Sequence, residues 1–155
     1  MQIDIDVSRQ RLDLRAGGEI VRTFPVSTSA LGFGFEPGSY KTPTGRFRVS
    51  EKIGEDAPLG AVFKGRVPTG ELGADAAEGD LILTRILRLD GLDEANANTR
   101  DRYIYIHGTN HEARIGTAAS HGCVRMRNRD IVELFSLVEN GTEVFIRPAA
   151  PLPPK

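Results

Sequence analysis

The chain is 155 residues long, 39% hydrophobic and 26% charged, which suits one globular domain with a real core and excludes a disordered chain. Twenty Lys and Arg balance twenty-one Asp and Glu for a formal charge of −1, so the basic footprint of a nucleic-acid binder is missing. The longest apolar runs, such as Leu81-Ile82-Leu83 and Val144-Phe145-Ile146, are far too short for a membrane span, and the absence of Trp argues against an aromatic stacking surface.

Ile3, Ile5 and Val7 alternate with Asp4 and Asp6, the period of a half-buried strand. The acidic start has no apolar stretch of a signal peptide. If Met1 is the native start, a cytoplasmic protein is expected; if a leader was removed, a periplasmic or wall-associated one. Residues 11–15 alternate likewise, Ala16 to Glu19 supply a tight turn, and Ile20 to Val26 reads as the return strand. Ser27 to Gly45 holds four Gly and two Pro and is loop, delivering residues 46–49 as another strand. Residues 51–79, rich in Gly, Ala, Pro and acids, carry one short strand candidate at 61–63 and fit a functional lid or flap.

Leu81 to Leu89 resumes strand character, with a turn at Asp90-Gly91 and a polar loop or single helical turn at 93–102. Tyr103 to Ile106 is a strand that ends in His107-Gly108. One helix is clear, because Ile131, Leu134, Phe135 and Val138 share a face; Asn128 is its expected cap and Asn140-Gly141 its stop. Thr142 to Arg147 forms a last strand, and 148–155, with four Pro, is a tail. The expectation is one mainly-β domain over 1–147 with one short helix in its C-terminal half.

All three histidines and the only cysteine fall within seventeen residues: His107, His111, His121 and Cys123. A lone cysteine rules out an intramolecular disulfide. Gly122 removes Cβ bulk beside the sulfur, so a carbonyl can approach the main chain, and N–H groups of His121, Gly122 or Cys123 are raw material for an oxyanion hole. The helix begins too far beyond Cys123 for its dipole to help, so thiol activation has to come from imidazole. His107 and His121 compete for that role; His107, carried on a strand, is the better-placed base. Arg125 is the nearest cation for a substrate carboxylate. Arg127 and Arg129 read as a solvated face, and His111 as a loop residue without a catalytic part.

Two other readings compete. His107-x3-His111 with His121-x-Cys123 offers four zinc-competent ligands, although Gly108 interrupts any helix that would align the first pair and the Glu of a zincin motif is missing. A non-catalytic β-sandwich binding domain would keep Cys123 as an inert buried thiol. A papain-like order is excluded, since there the histidine follows the cysteine.

His107-Gly108 followed by Ser120-His121-Gly122-Cys123-Val124-Arg125 resembles the signature of the L,D-transpeptidase (YkuD-type) catalytic domain, and the blocks beginning at Val7, Thr23 and Lys41 are similar to that family too. The resemblance spans about residues 2–147. It implies a β-sandwich-like domain without metal or cofactor, in which Cys123 attacks the carbonyl at the L-centre of diaminopimelate in a murein tetrapeptide. D-alanine leaves and a thioester remains. The same resemblance makes His107 the base and has Gly108 orient it through its carbonyl. It assigns the oxyanion to main-chain N–H groups of His121, Gly122 and Cys123, and puts Arg125 and Ser120 in the substrate site. An amine resolving the thioester gives a 3→3 cross-link between peptidoglycan stems; water gives L,D-carboxypeptidation of recycled muropeptides, the outcome favoured if Met1 is native. Carbapenems are implied inhibitors.

Overall fold

A computed structural model describes residues 1–73 and 78–148. The strands are β1 (Gln2–Asp6), β2 (Arg11–Ala16), β3 (Glu19–Ser27), β4 (Gly45–Ile53), β5 (Ala61–Lys64), β6 (Val67–Leu72), β7 (Ile82–Gly91), β8 (Tyr105–Thr109), β9 (Val124–Met126) and β10 (Glu143–Arg147). A 3-10 turn, Glu112–Arg114, follows β8, and the helix α1 (Asn128–Leu137) follows β9. The domain is mainly β with one α-helix among the described residues, as the periodicity leads one to expect. The final residues of the Pro-rich tail, 149–155, lie outside the described residues.

The strands join in the order β4-β10-β1-β2-β3-β9-β8-β7, and β7 pairs again with β4, so the sandwich-like sheet closes on itself. Inside it pack Ile3, Ile5, Leu12, Leu14, Phe47, Leu87, Leu89, Ile106, Val124 and Met126, all fully buried, with Ile131 and Leu134 of α1. The alternation that marks β1 and β2 as half-buried has a second consequence: Asp4 and Asp13 stand directly opposite each other on the outer face. Like charges there repel. Arg15 answers with a 2.6 Å bond to Asp4 and Arg11 with a 3.1 Å bond to Asp13, while Thr23 donates to Asp13 at 2.8 Å.

Residues 51–79 contain more order than their composition suggests. β5 and β6 form a hairpin on β7, turning through Gly65 and Arg66 at φ 55° and 66°, the left-handed pair a tight two-residue turn requires. β6 is exposed along its whole length and ends the sheet. The part of this segment at 74–77 lies outside the described residues.

Three boundaries depart from expectation. Asp90-Gly91 is no turn: β7 continues to Gly91, paired with Phe47 of β4. Gly91 is there because a Cβ would strike the Asn96 carbonyl, so this glycine permits a close approach of the 93–102 loop. Asn128 does not cap α1. It lies just inside the helix, its N–H donating to Glu112 Oε2 at 2.8 Å, and its side chain turns back to accept from Thr84 Oγ1 and donate to the Thr109 carbonyl. At the other end the helix stops at Leu137, since Val138 is extended, and Gly141 serves the following turn at φ 91°.

Phe47 is fully buried on the strand that closes the sheet. Phe47→Ala should cost about 3–5 kcal/mol, read as a lower urea midpoint at unchanged slope.

Candidate active site

Parallel pairing of β8 with β9 puts Ile106 level with Val124 and His107 level with Arg125. Cys123, one residue before β9, is therefore level with Tyr105, whose N–H donates to Sγ at 3.3 Å. With a side-chain period of two, Tyr105 and His107 face the same way. The sulfur and the imidazole thus share one face, separated along the strand by two residues of rise, roughly 7 Å. That face is walled by Ala61 and Phe63 of the β5–β6 hairpin with Ile86 and Tyr105. Arg66 at the hairpin turn donates to the Tyr105 hydroxyl at 3.1 Å and lies 5.7 Å from the Tyr103 ring, so the hairpin tip reaches the nucleophile's surroundings.

His107 is not at a strand end, as its sequence context suggests, but in the middle of β8, 1% exposed. Its Nδ1 is 2.5 Å from the Gly108 carbonyl. A carbonyl oxygen only accepts, so Nδ1 carries the proton and Nε2 keeps a lone pair. Burial pulls the imidazole below its ordinary range; the Gly108 carbonyl and the Asp80 charge oppose this and Arg125 adds to it. The result is a neutral ring of fixed tautomer. Gly108 has to lack a side chain: a Cβ would strike Asn128 Oδ1 and lie 2.6 Å from the Leu83 carbonyl. The space is filled by the Thr84–Asn128 hydrogen bond at 2.6 Å. Thr84, fully buried, holds φ 73°, strained backbone for a β-branched residue.

The sulfur is less prepared than the sequence implies. Half-buried Cys123 donates to the Tyr103 carbonyl at 3.3 Å, and burial pushes its thiol up to about 12. The Tyr105 N–H, Arg125 and Arg102 pull the other way, while the Asp80 charge adds to the rise. A thiolate waiting beside imidazole is thus replaced by a neutral thiol bonded to main-chain groups, on the same sheet face as a neutral imidazole. Such a pair can still work if the proton leaves the sulfur as attack occurs.

The loop before Cys123 is shaped from below. Gly122 holds φ 122°, and a Cβ there would come 3.3 Å from the Lys41 carbonyl. Its own carbonyl accepts from Thr42 Oγ1 at 2.9 Å, and Arg102 braces the adjoining loop by donating to the Lys41 carbonyl at 2.6 Å. Ser120, expected in the substrate site, is buried and turned inward: Oγ donates to the Cys123 carbonyl at 2.6 Å and accepts from the Gly122 N–H at 3.2 Å. It fastens the loop from within. The same bond occupies the Gly122 N–H, so of the three N–H groups expected to hold an oxyanion only those of His121 and Cys123 have no partner among the described residues.

Arg125 also departs from expectation. It is 3% exposed, its Nη2 bound to Asp80 Oδ1 at 2.9 Å, and Nε is buried without a partner. A guanidinium already paired inside the fold is poorly placed to receive a substrate carboxylate. The second Asp80 oxygen lies 3.4 Å from His121 Nδ1. His111, dismissed by sequence, bonds through Nε2 to the Gly79 carbonyl at 2.7 Å and so fixes the segment that carries Asp80. Nothing in the acidic, Ala- and Gly-rich run around Asp80 signals such a role. The four zinc-competent side chains are committed to separate partners, and no three His, Cys, Asp or Glu side chains gather as a metal site among the described residues.

Two cavities border this region. The larger, about 550 Å³, lies between the hairpin and the start of α1, lined by Leu59, Gly60, Thr109 and Asn128, and includes neither Cys123 nor His107. The smaller, about 270 Å³, is bounded by His121 and Arg125, the residues two before and two after the sulfur, with Asp80, His111 and Arg114. It too includes neither Cys123 nor His107, but it adjoins the loop on both sides of the sulfur.

Comparison with known proteins agrees with this architecture. Residues 1–146 match the family model YkuD, the L,D-transpeptidase catalytic domain. The L,D-transpeptidase-family protein YkuD of Bacillus subtilis (strain 168) is 29% identical over 144 residues, 93% of this chain and 64% of that protein. An L,D-transpeptidase from Mycobacterium smegmatis superposes at TM-score 0.62 with 16% identity, over 94% of this chain and 58% of that one. L,D-transpeptidase 3 from Mycobacterium tuberculosis, solved with a faropenem-derived adduct, superposes at 0.60 with 16% identity, over 94% and 59%. The chain thus spans about six tenths of the length of these relatives. Fold and motif together define an enzyme domain built around a closed β-sheet. The chain belongs to the YkuD family of L,D-transpeptidase catalytic domains.

The neutral thiol sets a pH profile. Iodoacetamide alkylation of Cys123 should climb steadily from pH 7 to 10, about tenfold per unit, with no plateau near neutrality. Asp80→Asn, which removes a negative field, should raise the rate at any fixed pH. A plateau at pH 6–8 would contradict both. For His107 the folded state binds its proton less tightly than the unfolded chain does. Stability is therefore full above about pH 6.5 and declines as the pH falls below it. The urea midpoint should drop between pH 7 and 5, and drop less in His107→Gln.

Proposed function

We propose that this domain is a cysteine acyl-transfer enzyme acting on murein tetrapeptide stems, with Cys123 as nucleophile and His107 as base. The observation that carries the reading is the neutral, Nδ1-protonated His107 on the same sheet face as the Cys123 thiol. Family membership supports the substrate class. A stem entering over that face brings the carbonyl of its L-centre diaminopimelate to the sulfur. Nε2 of His107 takes the thiol proton as the C–S bond forms. The oxyanion is received by the N–H groups of His121 and Cys123, on either side of the φ 122° turn at Gly122. His107 returns the proton to the leaving D-alanine nitrogen as the peptide C–N bond breaks, leaving the acyl group on sulfur as a thioester. The base then activates either an amine of a second stem, giving a 3→3 cross-link, or water, giving a tripeptide. No metal or cofactor enters these steps. The faropenem-derived adduct of the M. tuberculosis relative supports acylation of Cys123 by carbapenems and related β-lactams.

Incubation with a disaccharide tetrapeptide, alone and with an acceptor stem, identifies the product: tripeptide for hydrolysis, 3→3 dimer for transfer. Release of no D-alanine under either condition overturns the reading. Cys123→Ser should abolish turnover and leave the urea midpoint nearly unchanged. His107→Ala should lower kcat/KM by about 10²–10⁴-fold and His121→Ala by less; the reverse order would move the base to His121. Mass spectrometry after carbapenem treatment should find one adduct, absent in Cys123→Ser.

A further inference from the structure

The 270 Å³ cavity beside the Cys123 loop is lined by five ionisable side chains from separate parts of the chain: Asp80, His111, Arg114, His121 and Arg125. Four of them already have partners. Asp80 holds Arg125 at 2.9 Å with one oxygen and faces His121 Nδ1 at 3.4 Å with the other, and His111 is bound to the Gly79 carbonyl. The remaining one is Arg114. Its guanidinium is exposed and has no ion-pair or hydrogen-bond partner among the described residues.

Local structure explains why that charge stays open. The acid nearest in sequence, Glu112, is turned away to receive the Asn128 N–H at the start of α1, 2.8 Å away. Asp80, the one acid in the cavity wall, is spent on the buried Arg125. Among its carboxylate and guanidinium groups, one Asp80 against Arg114 and Arg125 leaves the lining with one cation in excess. Meanwhile the root of Arg114 is fixed. Its N–H donates to the His111 carbonyl at 2.9 Å, and its carbonyl accepts from Thr117 Oγ1 at 2.7 Å and the Thr117 N–H at 3.1 Å. A long cationic side chain on a pinned turn, at the mouth of a cavity flanking the nucleophile, is suited to receiving an anion. Asp80 limits which anion fits: a monoanion neutralises the excess charge, while a phosphate dianion would meet the Asp80 carboxylate.

We propose that Arg114 is a specificity-determining residue that binds a carboxylate of the donor stem in this cavity, with the Asp80–Arg125 pair forming the wall behind it. The assignment rests on the acyl-transfer reading above for its choice of ligand. It replaces Arg125, which is buried and paired, as the receptor for a substrate carboxylate.

Isothermal titration of Cys123→Ser with a disaccharide tetrapeptide, and with forms amidated at one carboxylate at a time, tests it without turnover. One amidated form should bind about 10- to 100-fold more weakly than the free acid, and which form does so identifies the carboxylate. Adding Arg114→Gln should bring the free acid down to that same value and leave the affected amide unchanged, while Arg114→Lys should recover part of the difference. Equal weakening of every peptide by Arg114→Gln, no effect of any amidation, or no binding at all overturns the proposal. In the otherwise wild-type enzyme, Arg114→Gln should raise KM for the free acid with kcat nearly unchanged. If the wild-type protein releases no D-alanine while the Arg114-dependent preference persists, the acyl-transfer reading falls and the carboxylate site stands. If D-alanine is released and Arg114→Gln leaves both affinity and KM unchanged, the reverse holds.

Discussion

The parallel ladder between β8 and β9 is the constraint on which the site depends. It sets Cys123 level with Tyr105, and strand alternation then turns His107 toward the same side. A slip of one residue would send the imidazole into the interior, among Ile106, Val124 and Met126, and leave the sulfur without a base. That register is held by residues committed to contacts within the fold. Ser120 ties the loop before the strand, Gly108 leaves room for the Thr84–Asn128 bond, and Gly122 accepts a backbone conformation closed to other residues. The site is a product of the sheet, not an addition to it.

Burial acts in opposite senses on the two groups proposed to react. It keeps His107 neutral, as the proposed base requires, and keeps Cys123 protonated, so the proposed nucleophile has to lose its proton during attack. Both effects follow from one cause, the cost of charge in a poorly solvated place. A neutral pair avoids storing a buried thiolate–imidazolium couple in the resting protein. In the proposed reaction the charge appears only when an acyl carbon is present to take the sulfur's electrons and N–H groups are present to take the oxyanion.

Much of this was legible in the sequence. Period-two alternation located β1, β2 and the start of β4, and the spacing of Ile131, Leu134 and Phe135 marked α1, because those patterns report burial on one face directly. The clustering of His107, His121 and Cys123 singled out the loop that the β8–β9 ladder sets beside His107. What stayed hidden depends on partners distant in the chain. Asp90-Gly91 reads as a turn until β4 is known to pair with it. Asn128 reads as a cap until Glu112 is seen to take that work. Arg125 reads as a free cation because Asp80, forty-five positions earlier, carries no local mark of its role. The hairpin of β5 and β6 was masked by a composition more typical of loops.

The closed sheet leaves β6 as its exposed terminal strand. An open strand edge invites another chain to add to it, but this one carries Pro68, which has no N–H to offer, and Gly70 at φ 87°, which breaks the extended run. Because β5 and β6 lie outside the closed circuit, the wall they form beside Cys123 is built without any of the eight strands that carry Cys123 and His107, and changes in the hairpin leave that circuit's pairing intact.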